Sequence, residues 1–234
     1  HDGGAYALLT HFGHTLKKPL PALVPLLSEK GAVKGLSGLR LPAVLTLCDG
    51  ERPVASAAGE ALFTDYGVSG ICAMQLSAQV HGLKRPVLKM DFSPMLGLVP
   101  CRYERISIPD ERKTYERMLA FLKERAALLP GEDLLCGLLP RLLAEKMRGL
   151  SLEKLAEKLC AFRVPLTGVR GFEYAQVTRG GICAGEFDTA TMESKKNPGL
   201  YAAGEIMNVD GDCGGYNLLF AFASGMLAGK AAAQ

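Results

Sequence analysis

A glycine-rich stretch near the end of the chain has the residue types of a site for an electron-rich ligand. Gly214 and Gly215 carry no Cβ, so the backbone there can approach another group closely. A helix is predicted to begin near Asn217, and the first N–H groups of a helix have no intrahelical partner. These donors and the positive end of the helix dipole favour an anion or another electron-rich group. The residues alone leave open a second interpretation, a buried helix with a glycine-rich entrance.

A short apolar strand and the helix are the elements predicted to position this loop. The strand runs from Leu200 to Gly204, and Glu205 follows at the point where the strand opens. The helix is too short for a membrane span, which takes about 20 residues. Its small residues lie four apart on one face and predict close packing against a sheet or a flat ring; they are Ala221, Gly225 and Gly229.

The composition is that of a globular protein and argues against several classes of partner. Of 234 residues, 48% are hydrophobic and 22% charged, which excludes disorder. The net charge of +3 comes with no basic stripe, so we expect neither a nucleic-acid nor a membrane partner. Seven cysteines without a Cys-x-x-Cys pair argue against a disulfide framework or a zinc site and favour a cytoplasmic protein without bound metal. No spacing indicates a catalytic triad, so the catalytic residues are unknown at this stage.

The glycine-rich stretch resembles the C-terminal FAD signature of a bacterial flavoprotein family, the NAD(FAD)-utilising dehydrogenases. The family includes aminoacetone oxidase and BaiN-type proteins. The shared segments are Gly199-Leu-Tyr-Ala-Ala-Gly-Glu, Val209-Asp-Gly, Gly214-Gly-Tyr-Asn-Leu, Ala221, Ser224-Gly225 and Ala228-Gly229. The likeness covers the whole chain in the family's order, through segments that begin at Asp2, Phe12, Pro21, Lys34, Gly59 and Thr178. One departure is Asp65, which stands where members often carry His, and it puts any role of that His in doubt here.

The resemblance implies FAD as the cofactor and places residues around it. Gly180 and Gly181 would leave room beside the isoalloxazine, and Gly204 and Glu205 would lie along the ribityl and phosphate arm. After Gly214, backbone N–H groups would face the pyrimidine edge of the ring from Gly215, Tyr216, Asn217 and Leu218. Reduction puts negative charge on that edge, which a helix N-terminus stabilises.

Two of these assignments have plainer alternatives. Gly180 and Gly181 follow a predicted strand, Tyr174 to Thr178, and could form an ordinary hairpin turn. Glu205 could be a solvated carboxylate at a strand end, since Glu is mostly exposed.

The predicted fold class is mixed, α+β and α/β, in several domains. Short strands with a hairpin signal at Asp49-Gly50 predict a small barrel or sandwich, and helices capped by Asp110 and Ser151 follow. With the resemblance, this indicates the C-terminal part of a Rossmann-like FAD domain with two insertions. The predicted segments are 1–25, a remnant of the FAD domain; 26–102, the β-barrel-like domain; 103–165, the helical domain; and 166–234, the return to the FAD domain.

The expected function is FAD-dependent oxidation or reduction of a small organic substrate, with NAD(P)H or oxygen as the other reactant. The chain contains no Gly-x-Gly-x-x-Gly unit, which the resemblance places before His1. We therefore expect a fragment that is inactive without that nucleotide-binding segment of the same protein. The alternative is a non-catalytic remnant or interaction module that cannot bind FAD alone.

Overall fold

The computed structural model describes residues 4–100, 104–129 and 134–234. The strands are β1 Leu16–Ala22, β2 Leu26–Ser28, β3 Arg40–Asp49, β4 Arg52–Phe63, β5 Gly67–Ser69, β6 Pro86–Asp91, β7 Glu104–Ile106, β8 Phe162–Val169 and β9 Val177–Ile182. The α-helices are α1 Gly4–His11, α2 Ile71–Val80, α3 Glu111–Leu128, α4 Arg141–Met147, α5 Leu152–Cys160 and α6 Tyr216–Ala232. Contacts divide the chain into two compact units: a first unit of His1–Leu23 and Gly171–Gln234, and a second unit of Val24–Arg170.

The second unit contains a closed antiparallel barrel of six strands. The order is β3-β6-β8-β2-β5-β4, and β4 pairs again with β3 to close the circle, while β7 adds to β4. The predicted hairpin at Asp49-Gly50 is confirmed, because β3 and β4 meet there with Gly50 at φ +65°. Gly67, at φ +157°, permits closure, since a Cβ there would collide with the carbonyl oxygen of Leu26 on β2.

One hydrophobic core serves both the barrel and the helices of the second unit. Leu45, Leu88 and Phe63 from the barrel and Met118 and Leu155 from the helices belong to one buried cluster. Strand β8 runs through the predicted boundary at residue 165 and stays paired with β6 and β2 in the barrel. The division of the chain into four domains stays a prediction.

The helix ends of the second unit follow from local chemistry. The Asp110 carboxylate accepts hydrogen bonds from the N–H groups of Arg112 and Lys113, and the Ser151 hydroxyl accepts one from Lys154, so both predicted caps are confirmed. The sequence also predicts a helix from Asp133 to Met147, bent or interrupted near Gly137 and Pro140; the interruption is confirmed, and the helix is shorter than predicted. Helix α4 begins only after Pro140, which has no N–H to donate. Pro130, Gly131 and Asp133 lie outside the described residues.

The first unit pairs β1 with β9 and places α1 and α6 with them. Its buried cluster consists of Leu9, Ile182, Phe187, Ala202 and Met207. The predicted strand Tyr174 to Thr178 is wrong in extent, because only Val177 and Thr178 of it belong to β9; the predicted turn after it is wrong, because Gly180 and Gly181 lie inside β9. The predicted strand Leu200 to Gly204 is also wrong. Only a single bridge, Glu193 to Tyr201, forms there, and a 3-10 turn, Gly204–Ile206, begins at the left-handed Gly204 (φ +72°).

Helix α6 begins where the sequence predicts, one residue before Asn217, and its surface is apolar and exposed. Among the described residues, no helix has both the length and the apolar character that a bilayer crossing needs. Of its predicted small face, Ala221 lies against Gly204, whereas a Cβ on Gly225 or Gly229 would meet no described atom within 4 Å.

We expect Asp110→Ala to destabilise the second unit by about 1 kcal/mol, because two N–H groups of α3 lose their acceptor. Urea denaturation followed by circular dichroism measures the change in the free energy of unfolding. Asp110→Asn is the matched control and should recover most of the loss. Equal stability of the Ala variant and the parent would show that the cap contributes nothing.

Candidate functional site

Three backbone segments of the first unit come together around the predicted cofactor-binding residues. Strand β9 bridges the segment after the 3-10 turn, with Ile182 paired to Met207 and the N–H of Asn208 donating to the Ile182 carbonyl at 2.7 Å. The 3-10 turn Gly204–Ile206 in turn contacts α6. Among the predicted cofactor-binding residues, Gly181 therefore lies next to Ile206 and Met207, the residues that directly follow Gly204 and Glu205.

The glycines of β9 are required by backbone contacts. Gly180 and Gly181 have φ of +93° and +115°. A Cβ on Gly180 would collide with the carbonyl oxygen of Lys18 on β1, and one on Gly181 would lie 2.6 Å from that of Ile206. On the side where a Cβ would point, these glycines therefore make room for neighbouring backbone and not for a flat ring. Their assignment to the cofactor stays a prediction.

Gly204 holds the 3-10 turn against α6. Its N–H donates to the Ser224 hydroxyl at 2.9 Å, and that hydroxyl donates in turn to the Phe220 carbonyl at 2.6 Å. Ser224 is the one buried residue of α6; the sequence predicts no contact for it, because a lone serine in an apolar helix carries no spacing signal. A Cβ on Gly204 would lie 3.4 Å from that of Ala221. The turn and the helix therefore pack at the distance that only small residues allow.

Glu205 is exposed, yet one of its carboxylate oxygens is engaged. Oε1 accepts a hydrogen bond from the N–H of Thr178 at 2.5 Å, which ties the 3-10 turn to the start of β9. Burial raises the pKa of the nearby Tyr6 phenol, and the negative charge of Glu205 adds to the shift. The interpretation of Glu205 as a merely solvated carboxylate is thus too simple.

The entrance of α6 offers unpaired backbone donors. Gly215 caps the helix in the left-handed conformation (φ +92°) and supplies no side-chain acceptor. Within the described part of the chain, the N–H groups of Tyr216, Asn217 and Leu218 have no hydrogen-bond acceptor, and Leu219 is the first to bond back, to the Gly215 carbonyl at 2.9 Å. A Cβ on Gly215 would meet no described atom within 4 Å. Space and donors therefore coincide here.

Asn217 fixes the loop before the helix. Its Oδ1 accepts from the N–H of Gly211 at 2.8 Å and its Nδ2 donates to the Gly211 carbonyl at 3.0 Å. Gly214 lies beside the Tyr216 ring, with 3.6 Å from an ideal Cβ to Cε2. The Asn217 side chain therefore orients the loop, while its backbone N–H remains available to a ligand.

A hydrogen-bonded network around the buried His14 braces the same unit. His14 Nδ1 lies 2.8 Å from a Glu186 carboxylate oxygen, and its Nε2 lies 2.9 Å from the Ser194 hydroxyl. That hydroxyl also accepts from the N–H groups of Lys196 and Asn197, so its hydrogen faces His14. Although this resembles a catalytic triad in composition, the serine is buried and fully hydrogen-bonded. These contacts favour a structural role for His14.

Glu186 is the charged centre of this network. Burial raises its pKa, but hydrogen bonds from Lys196, Thr15 and His14 outweigh burial and lower the pKa from 4.5 to about 2. Lys196 Nζ lies 2.8 Å from Glu186 Oε1 and also donates to the Gly13 carbonyl at 2.7 Å. The network therefore ties the turn after α1 to the loop that follows β9.

The sequence matches a known family along nearly its whole length. The family described as HI0933-like protein Rossmann domain matches residues 1–231. The chain belongs to this family. Its members are FAD-utilising oxidoreductases of the BaiN type, which confirms the resemblance seen in the glycine-rich stretch.

Curated relatives of the chain carry two different names. It is 34% identical over 247 aligned residues to the 3-dehydro-bile acid delta(4,6)-reductase of Clostridium scindens, covering 100% of this chain and 58% of the relative. It is 27% and 26% identical to the ribosomal RNA dihydrouridine synthases of Escherichia coli and Haemophilus influenzae, covering 94% of this chain and 53% of each relative. The chain thus spans about half the length of the relatives it matches.

We expect Glu186→Gln to lower the stability of the chain at neutral pH by about 1–3 kcal/mol, since the buried His14 and two exposed donors, Thr15 and Lys196, lose a charged acceptor. The folded pKa lies below the unfolded one, so the carboxylate stabilises the fold above pH 4.5, and this contribution is lost as pH falls towards 2. The gap between parent and variant should therefore close over that range.

Urea denaturation at a series of pH values measures this gap. Glu29→Gln is the matched control, because Glu29 is exposed and its side chain has no ion pair among the described residues. A gap that stays constant from pH 7 to pH 2 would contradict the role given to Glu186.

Proposed function

We propose that this chain is part of an FAD-dependent reductase that saturates a carbon–carbon double bond conjugated to a carbonyl in a small organic substrate. The observation that carries the proposal is the entrance of α6, where unpaired N–H donors and open space coincide. Membership in an FAD-utilising family supports FAD as the ligand.

The names of the relatives support the reaction type. One is a reductase of a 3-dehydro, delta(4,6) compound, which names a ketone with ring double bonds. The other forms dihydrouridine, in which the double bond of a carbonyl-bearing ring is reduced. The shared chemistry is hydride addition to a double bond that a neighbouring carbonyl polarises. Bound FAD would supply the hydride, with NAD(P)H as the source of electrons.

The residues of this chain would bind and orient the flavin. The N–H groups of Tyr216, Asn217 and Leu218 would donate to the pyrimidine edge, where the positive end of the α6 dipole favours the negative charge of the reduced ring. Gly214 and Gly215 would allow the close approach. The free oxygen of Glu205 would accept from hydroxyl groups on the ribityl and phosphate arm, while Thr178 holds its other oxygen.

The exposed apolar side of α6 favours the interpretation that another polypeptide segment covers it. Leu218, Phe222 and Met226 lie four apart on one stripe and are 65%, 69% and 76% exposed. Such a stripe is unusual on a free surface. We propose that the nucleotide-binding segment of the same protein covers it. In a non-catalytic interaction module, the alternative, the stripe would bind an unrelated partner.

We expect the 234-residue chain joined to its nucleotide-binding segment to purify yellow, and the chain alone to purify without flavin. In the joined protein, Gly215→Val should abolish flavin retention, because a branched side chain fills the space and strains a left-handed position. Absorbance at flavin wavelengths, with circular dichroism for the fold, measures both.

Gly38→Val is the matched control for Gly215→Val. Gly38 is also left-handed (φ +85°) with no described atom within 4 Å of an ideal Cβ, but it lies in the second unit. The joined protein with Gly38→Val should therefore retain its flavin. Unchanged flavin content in Gly215→Val would show that the flavin ring does not bind at the α6 entrance. A colourless joined protein would leave only the alternative, a non-catalytic interaction module.

The reaction is tested on the yellow protein with NADH or NADPH and a 3-oxo-Δ4 steroid. We expect consumption of one nicotinamide per double bond reduced, followed by absorbance and by mass spectrometry of the saturated ketone. A flavin that oxidises the nicotinamide only with oxygen, and leaves this double bond intact, would contradict the substrate class.

A further inference from the structure

A cleft of about 550 Å³ lies among the helices of the second unit, and the proposed flavin chemistry makes no use of it. Its size falls in the range of clefts that bind small molecules. Its apolar lining is formed by Leu134, Leu135, Leu139, Met147, Leu150 and Leu155. Two cationic side chains, Arg141 and Arg148, also line it.

The floor and one wall of this cleft are held in place. Met147 and Leu155 are each only 1% exposed, so the floor belongs to the core of the unit. Arg125 on α3 orders the wall, because its Nε donates to the Leu134 carbonyl at 2.8 Å and its Nη2 to the Cys136 carbonyl at 2.5 Å. The apolar surface is therefore built into the fold.

The two arginines differ in whether their guanidinium groups are already paired with a carboxylate. Arg141 Nε is paired with Glu145 at 2.9 Å on the next turn of α4. Arg148 has no hydrogen bond or ion pair with any described residue. An unpaired guanidinium at the mouth of an apolar cleft is suited to a carboxylate, which it can bind through two parallel hydrogen bonds.

The neighbouring surface is also basic. A second cleft of about 520 Å³ shares Met147 and Leu150 with the first and is lined by three lysines without ion pairs among the described residues: Lys146, Lys154 and Lys158. Glu157 is the acidic residue in this lining, and Arg163 there is already bound to Glu51. The positive potential of the rim thus adds to the attraction of Arg148 for an anion.

We propose that the cleft binds an amphipathic carboxylate, with its apolar body on the leucine and methionine floor and its carboxylate on Arg148. Apolar burial supplies most of the affinity, and the guanidinium selects the acid over its neutral counterpart. The proposal does not rest on the flavin reaction and is tested without it.

The test uses the absence of tryptophan from the chain. Leu135→Trp places a single fluorophore in the lining of the cleft, and 12-bromododecanoate quenches it on contact. We expect saturable quenching by the acid and at least about tenfold weaker binding of 12-bromododecanol, the difference that one charge-assisted hydrogen-bonded pair produces. Adding Arg148→Gln to Leu135→Trp should weaken binding of the acid about tenfold and leave binding of the alcohol unchanged.

Two controls separate the cleft from the exposed apolar stripe of α6. Phe222→Trp reports on that stripe, and its quenching should not distinguish acid from alcohol. Lys230→Gln, which removes a cation near the end of α6, should leave acid binding at Leu135→Trp unchanged. Equal affinity for acid and alcohol at Leu135→Trp, no effect of Arg148→Gln, or no quenching at Leu135→Trp would each overturn the proposal.

Discussion

Close packing of bare backbone is the constraint on which the first unit depends. Gly181 of β9 faces the Ile206 carbonyl, and Gly204 faces Ala221 of α6, so three segments meet with almost no side chain between them. This contact fixes α6 against the 3-10 turn, since the Gly204 N–H is bound to Ser224 within the helix. The donors at the α6 entrance therefore hold a fixed position relative to β9. A site for an extended, flat ligand needs such a fixed arrangement more than it needs any single side chain.

The polar groups of this unit mostly serve that arrangement. The Glu205 carboxylate, the Asn217 amide and the Ser224 hydroxyl each satisfy backbone groups of a loop or turn that would otherwise be unpaired. The side chains of Glu186, Ser194 and Lys196 do the same at the other end of β9. Because the hydride chemistry would belong to the cofactor, the protein's part would be to orient it.

The sequence predicts this protein well where the signal is local. The Asp49-Gly50 hairpin, the caps at Asp110 and Ser151 and the start of α6 depend on residues that act on their immediate neighbours, and all are found in the structure. The errors have long-range causes. Two consecutive glycines predict a turn, but Gly180 and Gly181 lie in a strand. Their lack of a Cβ is required by the backbone of Lys18 and Ile206, which are remote in sequence and lie close to them. The pairing of His14 with Glu186 and Ser194, more than 170 residues away, leaves no local trace. The family resemblance indicates FAD as the cofactor, whereas periodicity and composition alone do not.

The most direct test is the structure of the flavin-bound protein that contains this chain. The account predicts that the pyrimidine edge of the isoalloxazine lies within hydrogen-bond distance, about 3 Å, of the backbone nitrogens of residues 216–218. It also predicts that Gly215 keeps its left-handed conformation beneath the ring. A ring bound away from residues 214–218, with those N–H groups turned to solvent or to another segment, would contradict the placement of the flavin at the α6 entrance.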